Sequence, residues 1–351
     1  MRLIFAIPGD LTSFTGGYCY GRKVMACLPE HKIDVIHCQL PGSFPNPASE
    51  DIQEAVRAVN AVFSQGDIAL IDGLAYGTLP EAAIAAIEAP IVALCHHPLG
   101  LEAGLEPWRS RALLASEKAA LALAAGVIVT SPFTARTLEK QFGVPLGRIF
   151  VARPGTEPAH RAVGSGGPPL LLALGSIIPR KGYNVLIEAL YLLSDLDWRL
   201  YIVGSPHQSP ETSFALERLI GSCGLDSRVK CLGGLESAAL NEVLHRSDIF
   251  VSPSLYEGYG MALAEAMARG FPIVTTTAGA AAETVPNEAA LKCPSGDIVA
   301  LSEALRRVIL DEELRKRLSE GSWLAGQKLP SWRDTAKKIA RVVNDIAMVS
   351  E

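Results

Sequence analysis

Short apolar runs of strand length alternate along most of the chain with longer stretches whose apolar positions recur at helical spacing. In the first half the runs fall at 3–8, 34–40, 67–72, 91–96, 127–130 and 149–152, with helical patterns at 51–63, 81–87, 111–125 and 133–142. Regular alternation of this kind predicts a parallel sheet covered by helices on both faces. Residues 153–169, RPGTEPAHRAVGSGGPP, break the rhythm with four prolines and four glycines, the composition of a linker. The alternation then restarts, with strands predicted at 170–176, 199–204, 229–233, 249–253 and 273–276. Two similar α/β domains joined by one linker are expected to leave a cleft, with domains at 1–157 and 158–330 and an amphipathic helix in 331–351.

Within the second domain, residues 247–276 read as a strand, a loop with two glycines, a helix and the start of a further strand. Gly270 stands where a helix cap is expected, and Pro272 lies just beyond it. Glu257 lies in the loop and Glu265 on the helix, separated by seven residues. Taken singly they read as a loop charge and a solvated helix position. Between two buried-type strands they gain a second meaning, because such strands deliver loops to the carboxyl edge of a parallel sheet, where ligands bind. The helix N-terminus behind the glycine loop offers free N–H groups to a phosphate, and a carboxylate one turn further in can accept from ribose hydroxyls.

Composition narrows the partners. The 351 residues, 49% apolar and 20% charged, are enough for two cores. A net charge of −5 gives no electrostatic reason to expect nucleic acid. Seven cysteines without a C-x-x-C pair suggest reduced thiols in a cytoplasmic protein. The N-terminal apolar run is too short for a signal peptide, and the longest run, 119–129, is about half of the ~20 residues that span a bilayer. A soluble or at most peripherally bound protein is expected; Arg109, Arg111 and Lys118 make only a thin basic stripe for weak membrane contact.

Three further places can carry chemistry. GSIIPRKG, 175–182, departs from a phosphate-binding Walker loop, which needs glycine before its lysine and Ser or Thr after it, where Arg180 and Gly182 stand here. An adjacent Arg180-Lys181 pair remains, either solvated or able to neutralise a diphosphate. Gly16-Gly17 follow the first strand, as a plain turn or as a place where backbone approaches a ligand. His96 and His97 emerge at a strand end in IVALCHHP, either as a backbone-bonding cap or as a site; no other ligand-type residue sits at metal spacing, so no metal is expected.

E-G-Y-G-M-A-L-A-E, 257–265, closely resembles the E-x7-E signature of retaining GT-B glycosyltransferases of family 4. The resemblance is strong over 170–310 and looser before 150. It implies two Rossmann-like, doubly wound domains facing across a cleft, with the C-terminal helix crossing back to the first. It implies transfer of a sugar from a nucleotide-diphosphate sugar, UDP- or GDP-linked, to a sugar, lipid or small-molecule acceptor, without cofactor. By the same resemblance Arg180 and Lys181 bind the diphosphate with the backbone N–H groups of Met261 and Ala262, and Gly258, Tyr259, Gly260 and Leu263 also belong to the donor site. Glu265 holds the ribose and Glu257 the sugar hydroxyls, Leu232 meets the base, and Gly16-Gly17 touch the donor phosphate. The family often has His-Asp at the strand end; His96 matches that His, near the transferred sugar, and His97 stands in place of the Asp. Ser131, Arg153-Pro154-Gly155, Glu283 and Asp297 match recurrent positions, the last two structural. A phosphorylase, an epimerase and a non-catalytic sugar-nucleotide-binding protein are the rival readings; the phosphorylase lacks a lysine site for pyridoxal phosphate and a longer chain.

Overall fold

The computed structural model describes residues 1–13 and 15–350. The chain divides into two units, Met1–Gly155 with Pro330–Glu351, and Thr156–Leu329.

The first unit is built on six parallel strands: β1 (Arg2–Pro8), β2 (Asp34–Leu40), β3 (Ile68–Asp72), β4 (Ile91–Cys95), β5 (Gly126–Val129) and β6 (Ile149–Val151). Their order is β2-β1-β3-β4-β5-β6, with Leu3 of β1 opposite both Val35 and Ile68. Every residue of β3, β4 and β5 is buried, which is why these stretches are uninterrupted apolar runs. The order reverses between β1 and β3, so the loops leaving β1 and β3 open at a topological switch point. The helix Trp332–Ser350 belongs to this unit and packs on the helix Gly16–Cys27. It buries Ala336, Ile339, Ala340 and Val343, one face at helical spacing.

The second unit repeats the plan with β7 (Leu170–Leu174), β8 (Arg199–Val203), β9 (Val229–Cys231), β10 (Ile249–Ser252), β11 (Ile273–Thr276) and β12 (Ala290–Cys293). The order is β12-β11-β10-β7-β8-β9, again all parallel, and here the switch point lies between β7 and β10. Trp198, Leu200 and Ile202 pack with Leu186, Leu190 and Leu305 on one side of this sheet; Phe250, Met267 and Phe271 form the cluster on the other. Ser131 and Asp297 cap the helices Pro132–Thr137 and Ile298–Leu310, accepting from Thr134 N at 3.0 Å and Ala300 N at 2.9 Å. Among the described residues no helix is long and apolar enough to cross a membrane.

Three features depart from the sequence reading. The stretch expected as a linker is bonded into the second unit: Ala162 N donates to Arg269 O, Val163 N to His245 O, and Ser165 N to the Asp248 carboxylate. Proline and glycine made it look loose, yet its backbone groups find partners as a packed segment requires. Strand β12 was not anticipated because Lys292 interrupts a short run; a lysine suits an edge strand, and its Nζ donates to Ala282 O at 2.8 Å. Gly16 and Gly17 open the helix Gly16–Cys27 instead of forming a free turn, with Thr15 Oγ1 accepting from Tyr18 N.

Candidate functional site

In the second unit, β7 and β10 are neighbours, and the loops that follow them meet at the switch point. The β7 loop turns through Gly175 into a tight Pro179–Lys181 turn closed by Gly182, whose φ of 64° favours glycine, and enters the helix Tyr183–Tyr191. The β10 loop is fastened to it where Leu255 N donates to Arg180 O at 2.7 Å.

This juncture brings the adjacent Arg180 and Lys181 to a carboxylate that lies 76 positions beyond Lys181 in sequence. Lys181 Nζ donates to Glu257 Oε1 at 2.7 Å, and Arg180 Nη1 lies 3.4 Å from Oε2 while donating to Tyr256 O at 2.9 Å. Ser254 Oγ adds a third donor to Oε1 at 2.7 Å. The two cationic side chains are 15% exposed and the carboxylate 7%, so water screens the cluster little. Burial pushes the Glu257 carboxyl upward, but the charges of Lys181 and Arg180 and the bonds from Lys181 and Ser254 override it and hold it at about 2. The cluster keeps one net positive charge.

The helix Met261–Ala268 begins beside this cluster in sequence. Its N-cap is Gly260, at φ 92°, which has no side chain to bond the first N–H groups. Their partial positive charge is therefore available to an anion. Glu265, one turn in, is 35% exposed; desolvation raises its pKa, and Arg269, 3.6 Å away, pulls the other way. Leu232 lies just past β9, two strands from β7, with its N–H bonded to Ile202 O.

In the first unit, Gly17 and His96 come together: a Cβ at Gly17 would sit 3.5 Å from His96 Nε2. His96 also meets the edge of Tyr20, ring centroids 5.2 Å apart, and its Nε2 lies 3.4 Å from Asp72 Oδ2. His97 instead bonds Glu102 Oε2 at 2.8 Å. The neighbours of the two histidines thus differ, and His96 is the one that adjoins the glycine pair.

With these two sets of residues in place, comparison with known proteins gives the family. The family described as glycosyl transferases group 1 matches residues 156–322, and glycosyltransferase family 4 matches residues 50–160. The chain belongs to the group 1, family 4 glycosyltransferases. Among curated relatives, the D-inositol 3-phosphate glycosyltransferase of Xylanimonas cellulosilytica is 27% identical over 63% of this chain and 57% of its own length. The chain thus spans little more than half of the curated relatives it matches first. Among solved structures, sucrose-phosphate synthase of Thermosynechococcus elongatus superposes with a TM-score of 0.85 at 20% identity, covering 100% of both chains. Anabaena Alr3699/HepE, solved in complex with UDP-glucose, gives 0.75 at 17% identity over 98% of this chain and 100% of its own. At such identities these likenesses establish the fold, the paired Rossmann-like domains of GT-B proteins.

Three residues of this family 4 chain escaped the sequence reading. Ser254 looked like an ordinary loop serine. Asp72 looked like the polar end of a strand, yet it is 4% exposed and faces His96. Glu117, on the helix Pro107–Leu123, was not singled out, and it is 1% exposed beneath the β4 exit, where Oε2 accepts from Leu99 N at 2.9 Å and Oε1 lies 3.9 Å from Cys95 Sγ. Burial raises its carboxyl to about 8.

The Glu257 cluster also predicts an acid response. Its folded pKa of about 2 lies below the ordinary 4.5, so its stabilisation is present above pH 4.5 and fades as pH falls toward 2. The shift corresponds to about 3 kcal/mol. In urea melts across that window, wild type should lose stability with a slope that Glu257→Gln lacks. Equal slopes would mean that Glu257 is not held ionised by its neighbours.

Proposed function

We propose that this chain is a hexosyltransferase that moves a sugar from a nucleotide-diphosphate sugar to an acceptor hydroxyl with retention at the anomeric carbon. The observation that carries this reading is the meeting of Arg180, Lys181 and Glu257 at the β7–β10 switch point, in a loop that leads to a helix whose N-cap is a glycine. A diphosphate leaving group develops negative charge as the glycosidic bond breaks. One net positive charge, nearly dry and fixed in place, plus a helix N-terminus, stabilises that charge more than the ground state does.

In this reading Met261 and Ala262 present N–H groups to the diphosphate beside Arg180 and Lys181, so the cations supply what a metal ion otherwise would. Glu265 accepts from the ribose hydroxyls. Glu257 aims Lys181 through Oε1, and Oε2, with only its longer Arg180 contact, is the oxygen suited to a sugar hydroxyl. The departing phosphate takes the acceptor proton, so no dedicated base is required. In this reading His96 is the residue that meets the transferred sugar. The UDP-glucose bound by the Anabaena neighbour supports uridine donors as the first to test. The acceptor is a sugar, lipid or small-molecule hydroxyl, and the reaction belongs in the cytoplasm.

A thermal-shift panel of UDP, GDP, ADP and their sugar conjugates tests the donor site on wild type and Glu265→Ala. Alanine is at least as good a helix former as glutamate, so the variant should fold. At ~100 times its Kd the right nucleotide adds about 2.7 kcal/mol to wild type and much less to the variant. If no nucleotide stabilises either protein, the reading fails. If one binds but no sugar is transferred or hydrolysed, the chain is a binding protein on the same fold.

A further inference from the structure

We propose that Asp72 is a positioning residue for His96, holding a proton on Nε2 and so leaving Nδ1 as the ring atom that can accept from a sugar hydroxyl. Asp72 ends β3, at the strand end where Gly73 begins the short helix Gly73–Tyr76. Its two oxygens have different tasks. Oδ1 accepts from Leu74 N at 2.9 Å and caps the helix; Oδ2 faces His96 Nε2 at 3.4 Å. The Asp72 side chain is 5% exposed.

The Nε2 atom of His96 is itself shielded from water and makes no hydrogen bond within the described residues. A buried polar nitrogen without a partner is destabilising, so the ring gains by closing onto the carboxylate oxygen in front of it. Hydrogen bonds in active sites are often long before ligand binds and tighten in the complex. A carboxylate accepts and does not donate, so the pairing demands a hydrogen on Nε2. The ring has little freedom to escape this arrangement. Gly17 lies against Nε2, Tyr20 meets the ring edge-on, and Thr130 Oγ1 donates to the His96 carbonyl at 3.0 Å. Tyr20 is fixed in turn by its OH, which donates to Ala152 O at 3.1 Å.

The role was invisible in sequence because Asp72 and His96 are 24 positions apart. His97, the sequence neighbour, takes Glu102 instead. The carboxylate that serves His96 arrives from the adjacent strand, since β3 and β4 are paired and both end at the same sheet edge.

Asp72→Asn is the decisive variant. Asparagine caps helices as well as aspartate, so its Oδ1 can keep Leu74 N and the fold is retained. Its amide nitrogen then faces His96 Nε2 and can only donate, which forces Nε2 to accept and moves the ring proton to Nδ1. Nitrogen-15 NMR of the ring, assigned by the signals lost in His96→Gln, reads the tautomer directly. Wild type should show Nε2–H and Asp72→Asn should show Nδ1–H. The kinetic consequence rests on the transferase reading: with UDP-glucose as donor, kcat should fall roughly 10²-fold or more while KM changes by less than about threefold, the pattern of a misassigned tautomer in an intact site. Wild type in the Nδ1–H form, or a variant with an unchanged ring, overturns the assignment without reference to any substrate. A flipped tautomer with unchanged kcat leaves Asp72 a structural neighbour and removes its part in the reaction, whereas loss of nucleotide binding in the donor-site panel overturns the transferase reading alone.

Discussion

Lys181→Ala should lower nucleotide-sugar turnover by roughly 10²–10³-fold, the range seen when one preorganised donor to a developing anion is removed. The ammonium has two tasks in the geometry. It is the closest cation to Glu257, at 2.7 Å, and with Arg180 it gives the cluster its net positive charge. Without it the count of charges facing the diphosphate drops from one positive to none. The carboxylate keeps Ser254 and the 3.4 Å contact with Arg180, yet loses its closest cation in a nearly dry site. Stability should therefore fall by about 3 kcal/mol, the low end for removing one partner of a buried pair. Steady-state kinetics with UDP-glucose and urea unfolding of the same variant separate the two effects. Turnover within threefold of wild type, with the stability loss intact, would reduce Lys181 to a counterion for Glu257.

The same cluster shows where sequence is informative and where it stops. Eleven of the twelve strands were visible because a sheet covered on both faces needs continuous apolar runs. The twelfth, β12, hid behind Lys292 at a sheet edge, where one face meets water. Arg180, Lys181 and Glu257 were each legible from their place at a strand end. That Lys181 and Glu257, 76 residues apart, share a 2.7 Å bond was not, because it depends on β7 and β10 being neighbours across the switch point. The E-x7-E pattern singled out Glu257 as a partner for sugar hydroxyls; the structure adds its tie to the two cations. Asp72 and Glu117 mark the limit more sharply. Each is a carboxylate whose partners are supplied by another element, and local pattern cannot distinguish a buried acid from a solvated one. Glu117 sits among charged and apolar positions that suit an ordinary surface helix, yet it is enclosed at the β4 exit.

Gly204→Ala should damage the second unit more than any exchange of an exposed side chain. Gly204 follows β8, and a Cβ there would overlap the carbonyl oxygen of Gly175 and crowd Ser176 N at 2.9 Å. Backbone stands on the other side of the contact, so no rotamer change relieves it. The β7 and β8 exits would have to part, straining the bonds from Gly175 N to Val203 O at 2.8 Å, Ile177 N to Ser205 O at 3.0 Å and Gly204 N to Gly233 O at 2.8 Å. Overpacking against a rigid neighbour costs about 3 kcal/mol, at the upper end of its usual range. For a unit of this size that lowers the melting temperature by roughly 6–12 °C. The displaced segment leads directly into the Arg180-Lys181 turn. A misplacement of about 1 Å in groups that hold a substrate can cost 10²-fold in rate, so turnover should fall further than stability alone explains. The His96 ring signals report on the first unit and should not change. If Gly204→Ala melts with wild type and responds to UDP-glucose as wild type does, the close approach of the β7 and β8 exits is not what holds the Arg180-Lys181 turn in place.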